Sequence, residues 1–188
     1  QSILEAAIAL IREERDVDLV SMRRIAERAG VAVSMINYHY QTKSKLIDLA
    51  VQSFVGTVIR GSEKADGEAE EDPVRRMRDH LRRAAAFIAA HPGISRVSIL
   101  RDMRSGDEHD NTSQVASLVS RQLREIYGEE KSELELEVMT HMQVAAVQYL
   151  FLRSDVHHSK TGLDFFDESQ RNTLTDIIVE TITGRRLK

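Results

Sequence analysis

The chain has 188 residues, 41% hydrophobic and 30% charged, with a formal net charge of −4. This is a globular composition, long enough for one compact unit or two small ones. The absence of cysteine excludes disulfides, thiolate catalysis and cysteine-based zinc sites. Apolar runs such as Ala84–Ala90 are far too short to span a bilayer and no signal-peptide pattern opens the chain, so a cytoplasmic protein without a membrane partner is expected.

Proline occurs only at Pro73 and Pro92, no run alternates with a period of two, and apolar residues recur at helical spacing. An all-α protein of about nine helices is therefore predicted. The first helix spans about Ser2–Glu14, with Ile3, Ala7, Leu10 and Ile11 on one face, and "RDVDLV" breaks it. Ser21 caps a short second helix whose apolar positions are Met22, Ile25, Ala26 and Ala29, and Gly30 ends it. A third short helix covers Val33–Tyr40, and Thr42 caps a fourth from Lys43 to about Arg60.

The acidic stretch "GSEKADGEAEED", Gly61–Asp72, is the best candidate boundary. Asp72 followed by Pro73 opens a helix carrying Val74, Met77, Leu81, Ala84, Ala85 and Ile88, which stops at "HPG". A short helix with Ile94, Val97, Ile99 and Leu100 follows, then the loop "SGDEHDN" and a helix from about Thr112 to Gly128. Ser132 and Glu135 form a capping box that opens a long helix to about Arg153. A loop with His157 and His158 comes next, and Asp167 with Gln170 opens a last helix ending near Gly184.

Charge is distributed unevenly. Ser21–Lys45 holds Arg23, Arg24, Arg28, Lys43 and Lys45 against the single acid Glu27, whereas Gln1–Val20 holds five acids and two arginines. A basic patch on an acidic chain directs attention to nucleic acid. The two short helices joined at Gly30 fit a helix-turn-helix. On a helical wheel Ile36 and Tyr40 fall together with Val33 nearby, and this face packs inward. Tyr38, flanked by Ser34 and Met35, lies opposite, with Asn37 and His39 at the margins. Amide, hydroxyl and imidazole groups on an outward face suit base edges and phosphates. Thr42, the first amides of the next helix and Lys43 make a phosphate clamp.

The stretch "SMRRIAERAGVAVSMINYHYQTKSKL" resembles the TetR family of bacterial transcriptional regulators. The likeness lies in Ile25-Ala26, Ala29-Gly30-Val31, Ile36, His39-Tyr40 and Lys43, and covers about the first 50 residues. Four positions depart from the family pattern. Ala32 replaces the usual Ser or Thr cap, Ser34 a common Gly, Asn37 the usual Tyr (with Tyr38 next), and Asp16 a Gly after the first helix. The resemblance implies a helix-turn-helix domain over residues 1–50 and a helical ligand-binding and dimerisation domain over 51–188. The DNA-contacting set is then Ser21, Arg24, Val33, Ser34, Met35, Asn37, Tyr38, His39, Thr42 and Lys43. The implied role is a repressor that binds an inverted-repeat operator in double-stranded DNA as a homodimer and is released by a small apolar effector. An architectural DNA-binding protein of the same fold, without an inducer, is the alternative.

Val144–Leu152 has only Gln148 as a polar residue, so that helix must be covered nearly all round. With the stripe Leu174, Ile177, Ile178, Thr181 and Ile182 of the last helix, Val144, Val147 and Phe151 are expected to meet a second copy of the chain. Met77, Leu81, Phe87, Ile88, Met103, Met139, Met142 and Tyr149 are candidates for an adaptable apolar pocket. No histidine and acid spacing indicates a metal site, no cofactor is expected, and no P-loop, GxGxxG, HExxH or nucleophile-elbow sequence supports an enzyme.

Overall fold

A computed structural model describes residues 2–14, 16–65 and 72–186. Among these the chain forms ten α-helices: α1 Ile3–Glu14, α2 Met22–Ala29, α3 Val33–Tyr40, α4 Lys43–Ala65, α5 Pro73–Ala90, α6 Pro92–Ser105, α7 Asn111–Tyr127, α8 Glu133–Leu152, α9 Ser154–Thr161 and α10 Glu168–Thr183. A 3-10 turn, Val17–Leu19, separates α1 from α2. The all-α reading holds, and two local expectations change. α4 continues past Arg60 to Ala65, and positions 66–71 of the acidic link lie outside the described residues. The segment of His157 and His158, expected as a loop, is the helix α9. Its sequence SDVHHSKT has no apolar stripe, so periodicity carries no signal for it. No helix is long and apolar enough to cross a membrane among the described residues.

The described residues fall into two compact units. One comprises the residues up to 65 together with 91–111, the other 72–90 together with 112–186. The first unit is built round Ala6, Ala7, Leu10 and Ile11 of α1, Ile25 and Ala26 of α2, Ile36 of α3, Leu46, Ile47, Ala50 and Val51 of α4, and Ile94 of α6. α1 starts with a reciprocal cap: the Ser2 N–H donates to Glu5 Oε2 at 3.0 Å and the Glu5 N–H to Ser2 Oγ at 3.1 Å.

In the second unit α10 packs along α5 and α8, and α5 also meets α8. Arg82 grips Asp176 with two bonds, 3.0 and 2.5 Å, fixing α5 to α10. Arg76 pairs with Glu125 and His80 with Gln122, which sets α5 antiparallel to α7. Arg124 with Glu133 (2.6 Å) and Gln148 with Thr112 (3.1 Å) set α7 antiparallel to α8. Phe151, Phe165 and Phe166 form an aromatic cluster with centroids 5.8 to 6.5 Å apart. Arg171 donates to the Phe165 and Phe166 carbonyls at 3.2 and 3.1 Å.

Burial corrects the face expected to meet a second copy. Val144, Val147 and Phe151 are buried inside their own unit. A run that is apolar all round does not reveal which of its sides the same chain covers. The uncovered side of α8 carries Leu134, Val138, Met142 and Tyr149, each at least half exposed. In α10 the inward line is Arg171, Thr175, Val179 and Thr183. Ile177 is 54% exposed, Thr181 is exposed, and Leu174, Ile178 and Ile182 are half-buried.

Candidate nucleic-acid interface

Local chemistry sets the geometry of α2, α3 and the start of α4. Ser21 is extended (φ −115°, ψ 154°), and its hydroxyl accepts from the Arg24 N–H at 3.3 Å, capping α2. α2 stops at Gly30, whose φ of +72° a side chain would strain. The Val31 N–H bonds back to the Ala26 carbonyl at 3.0 Å, sealing the helix end. Ala32 occupies the N-cap of α3 (φ −71°, ψ 143°) and supplies no side-chain bond, as its methyl must.

α3 is anchored through one face. Ile36 is fully buried, and half-buried Tyr40 packs against the first unit's core. Ser34, Met35, Asn37, Tyr38 and His39 are exposed, Tyr38 at 82%. Val33, placed by the wheel near the inward face, is exposed, because it sits in the first turn where nothing precedes it to close over it. The rings of Tyr38 and His39 meet edge-on at 5.2 Å, and those of His39 and Tyr40 at 6.4 Å. The exposed pair is thereby tied to an anchored residue.

The end of α3 is strained. Gln41 has φ +65° and ψ −49°, and is the one described non-glycine residue with positive φ. The Thr42 N–H donates to the Tyr40 carbonyl at 2.7 Å, closing a γ-turn about Gln41. This turn allows α4 to start one residue later. The Thr42 hydroxyl accepts from the Lys45 N–H at 3.2 Å, and the first amides of α4 stand beside the outward face of α3.

Ion pairing revises the basic patch. Arg24 reaches Glu14 at 2.5 Å and the Leu19 carbonyl at 3.3 Å, while Arg28 reaches Glu13 at 2.7 Å. The acids of α1 thus neutralise two arginines that lie far from them in sequence. Lys43 is half-buried, and its Nζ donates to the Asp18 carbonyl at 3.1 Å, leaving two of its three donors. Arg23 and Lys45 are exposed and make no ion pair with any described residue. They are the most available cations here, and counting charge along the chain did not separate them from the rest.

The other expected site residues divide by burial. In the second unit Met77 and Leu81 are buried, and Phe87, Ile88 and Met139 are half-buried. Met142 and Tyr149 lie on the uncovered side of α8. Met103 belongs to the first unit and is 58% exposed. A side chain more than half in solvent does not wall an enclosed pocket of its unit, so these three residues leave the expected lining. Among the described residues no three histidine or acidic side chains come together as a metal site.

Comparison with known proteins bears on the first helices and on the fold. The family model for bacterial regulatory proteins, tetR family, matches residues 3–50. No curated protein matches the chain in sequence. Several solved structures share its fold. A transcriptional regulator from Pseudomonas aeruginosa PAO1 is 20% identical with a TM-score of 0.69, over 97% of this chain and 88% of that one. The transcriptional regulator FadR from Bacillus subtilis, solved in complex with stearoyl-CoA, is 16% identical with a TM-score of 0.69, over 96% of both chains. A TetR-like regulator from Rhodococcus sp. RHA1 is 16% identical with a TM-score of 0.61, over 97% and 94%.

Proposed function

We propose, for a chain whose residues 3–50 match the model of the tetR family of bacterial regulatory proteins, a repressor that reads an inverted-repeat operator as a homodimer and releases it on binding a small effector. Residues 1–50 read the DNA, and residues 51–188 hold the effector and the partner copy. The observation that carries this reading is the outward face of α3: Ser34, Asn37, Tyr38 and His39 exposed on a helix locked by Ile36 and Tyr40, beside the capped start of α4. Asn37 and His39 suit base edges. Tyr38, Thr42, Lys43, the first amides of α4 and the available cations Arg23 and Lys45 suit phosphates.

Two such helices on an inverted repeat must lie about 34–36 Å apart or at a multiple of that distance. The second copy is held through Leu134, Val138, Met142 and Tyr149 of α8 with Ile177 and Thr181 of α10, apolar surface that the chain itself leaves uncovered. The effector has an apolar body, in keeping with Met77, Leu81, Phe87, Ile88 and Met139 in the second unit. The stearoyl-CoA held by the similar Bacillus subtilis regulator supports that character. Nothing in this reading calls for catalysis.

Genome-wide mapping of bound sites followed by electrophoretic shift with the recovered site tests the proposal. The expected result is a salt-sensitive complex on a palindromic site. Binding to many sites without sequence preference would favour an architectural protein, and no DNA binding at all would remove the reading.

A further inference from the structure

The outward face of α3 carries no fixed positive charge. Its eight residues, VSMINYHY, include neither arginine nor lysine. The available cations Arg23 and Lys45 belong to α2 and α4. In the major groove guanine offers two acceptors, O6 and N7, and its bidentate partners are arginine and lysine. α3 brings neither to the base edges.

Asn37 offers a different pattern. Its amide is exposed and makes no side-chain hydrogen bond with any described residue. Its backbone carbonyl accepts from the Gln41 N–H at 3.0 Å, and Ile36 beside it is fully buried, so the backbone that carries the amide is held. The amide presents an acceptor, Oδ1, next to the donors of Nδ2. Adenine presents the complement, an N6–H donor next to the N7 acceptor. Against guanine, Oδ1 would face the O6 acceptor and lose its hydrogen bond. The other polar groups of the face do not discriminate between these two bases. One ring N–H of His39 reaches N7, which adenine and guanine share, and the Ser34 hydroxyl suits either.

Apolar groups complete the face. Val33 and Met35 are exposed in the first turn of α3, and neither packs on the core of the first unit. That turn is the part of such a helix that meets base edges. Val33 precedes Asn37 by four residues and so stands beside it on the helix surface. Thymine, the partner of adenine, carries the one methyl group on the major-groove edge.

We propose that Asn37 specifies adenine through N6 and N7, and that thymine methyls seat on Val33 and Met35, so that the base pairs beneath α3 are A·T. This assignment rests on the operator-reading function above and names the bases that are read.

The full chain is used to select from a randomised duplex pool, as the parent, as Asn37→Ala and as the doubly substituted Val33→Ala, Met35→Ala protein. Salt is fixed throughout, because phosphate contacts make affinity depend on it. In the site recovered with the parent, each adenine is replaced in turn by 7-deazaadenine, which lacks the N7 acceptor, and each thymine by uracil, which lacks the methyl. One adenine per half-site is expected at which the analogue weakens the parent about tenfold and Asn37→Ala by less than about twofold. Uracil beside it is expected to weaken the parent about threefold and to leave the doubly substituted protein unaffected. A G·C pair at the position whose preference Asn37→Ala loses would overturn the adenine assignment. So would equal affinity for adenine and 7-deazaadenine throughout the site, or an analogue effect as large in Asn37→Ala as in the parent. Equal binding of thymine and uracil at every position would overturn the methyl contacts. All these failures occur on a site that the protein still recognises. A pool bound without sequence preference, or not bound at all, sinks the operator-reading function itself.

Discussion

At the scale of single residues, Ala32 and Lys43 flank α3 and give separate tests of it. Ala32 has N-cap dihedrals and no cap, so Ala32→Ser adds a bond to an orphan amide with no rearrangement. The variant is expected to be about 1 kcal/mol more stable by thermal melting. An unchanged or lower midpoint would show that the added hydroxyl finds no amide. Lys43 does two things at once, because its Nζ already holds the Asp18 carbonyl. Lys43→Ala is expected to lower the melting midpoint slightly, to weaken binding on every DNA sequence, and to reduce the salt slope by about one unit. Exposed Asn37 and Tyr38 make no such internal bond, so Asn37→Ala and Tyr38→Ala should leave the melt alone and change preference among sites. Lys45 and Arg23 came to light only from the pairing of their neighbours with Glu13 and Glu14.

At the scale of elements, helix ends carry the testable physics. The γ-turn about Gln41 places a side chain where glycine sits without penalty, and such conformations cost about 1–3 kcal/mol. Glycine also adds freedom to the unfolded chain, so Gln41→Gly should raise stability by a net of roughly 1 kcal/mol. A lower midpoint would mean that the Gln41 side chain has a stabilising contact. The α8 capping box gives a pH dependence. Bonds from the Ser132 backbone and then from Lys131 hold the Glu135 carboxyl down at about 2. A carboxylate lowered by folding adds stability above its ordinary value and loses it as pH falls toward the lowered one. The advantage of the parent over Glu135→Gln should therefore be full at pH 7, shrink from about pH 4.5 and vanish near pH 2, followed by melting across that range.

At the scale of the whole molecule, the proposed function depends on an apolar surface that the chain leaves open. Val138 and Ile177 are each at least half exposed, so charging them should not disturb the fold of one chain. Val138→Glu and Ile177→Glu are expected to sediment as monomers with unchanged helical content and to lose operator binding. Without the second copy nothing holds two copies of α3 at the spacing of an inverted repeat. A variant that stays a tight DNA-binding dimer would move the interface elsewhere.

The sequence alone determined the all-α class, the helix-turn-helix and most helix ends. Their signals are local: Ser21, Gly30, Thr42, Ser132 and Asp167 act on amides and carbonyls within a few residues. Spacing within α3 likewise separated Ile36 and Tyr40 from Tyr38, because a helix presents its own faces without help from elsewhere. Only the tertiary structure decided which side of α8 is covered, since Val144–Leu152 is apolar all round and the choice is made by α5 and α10. It also decided which cations stay available, because Glu13 and Glu14 reach Arg28 and Arg24 across the fold. It left Gln143 without a partner where Gln148 found one, a difference set by whether another helix brings a hydroxyl within about 3 Å. These outcomes depend on pairs of residues distant in sequence, and neither composition nor period encodes which pairs will meet.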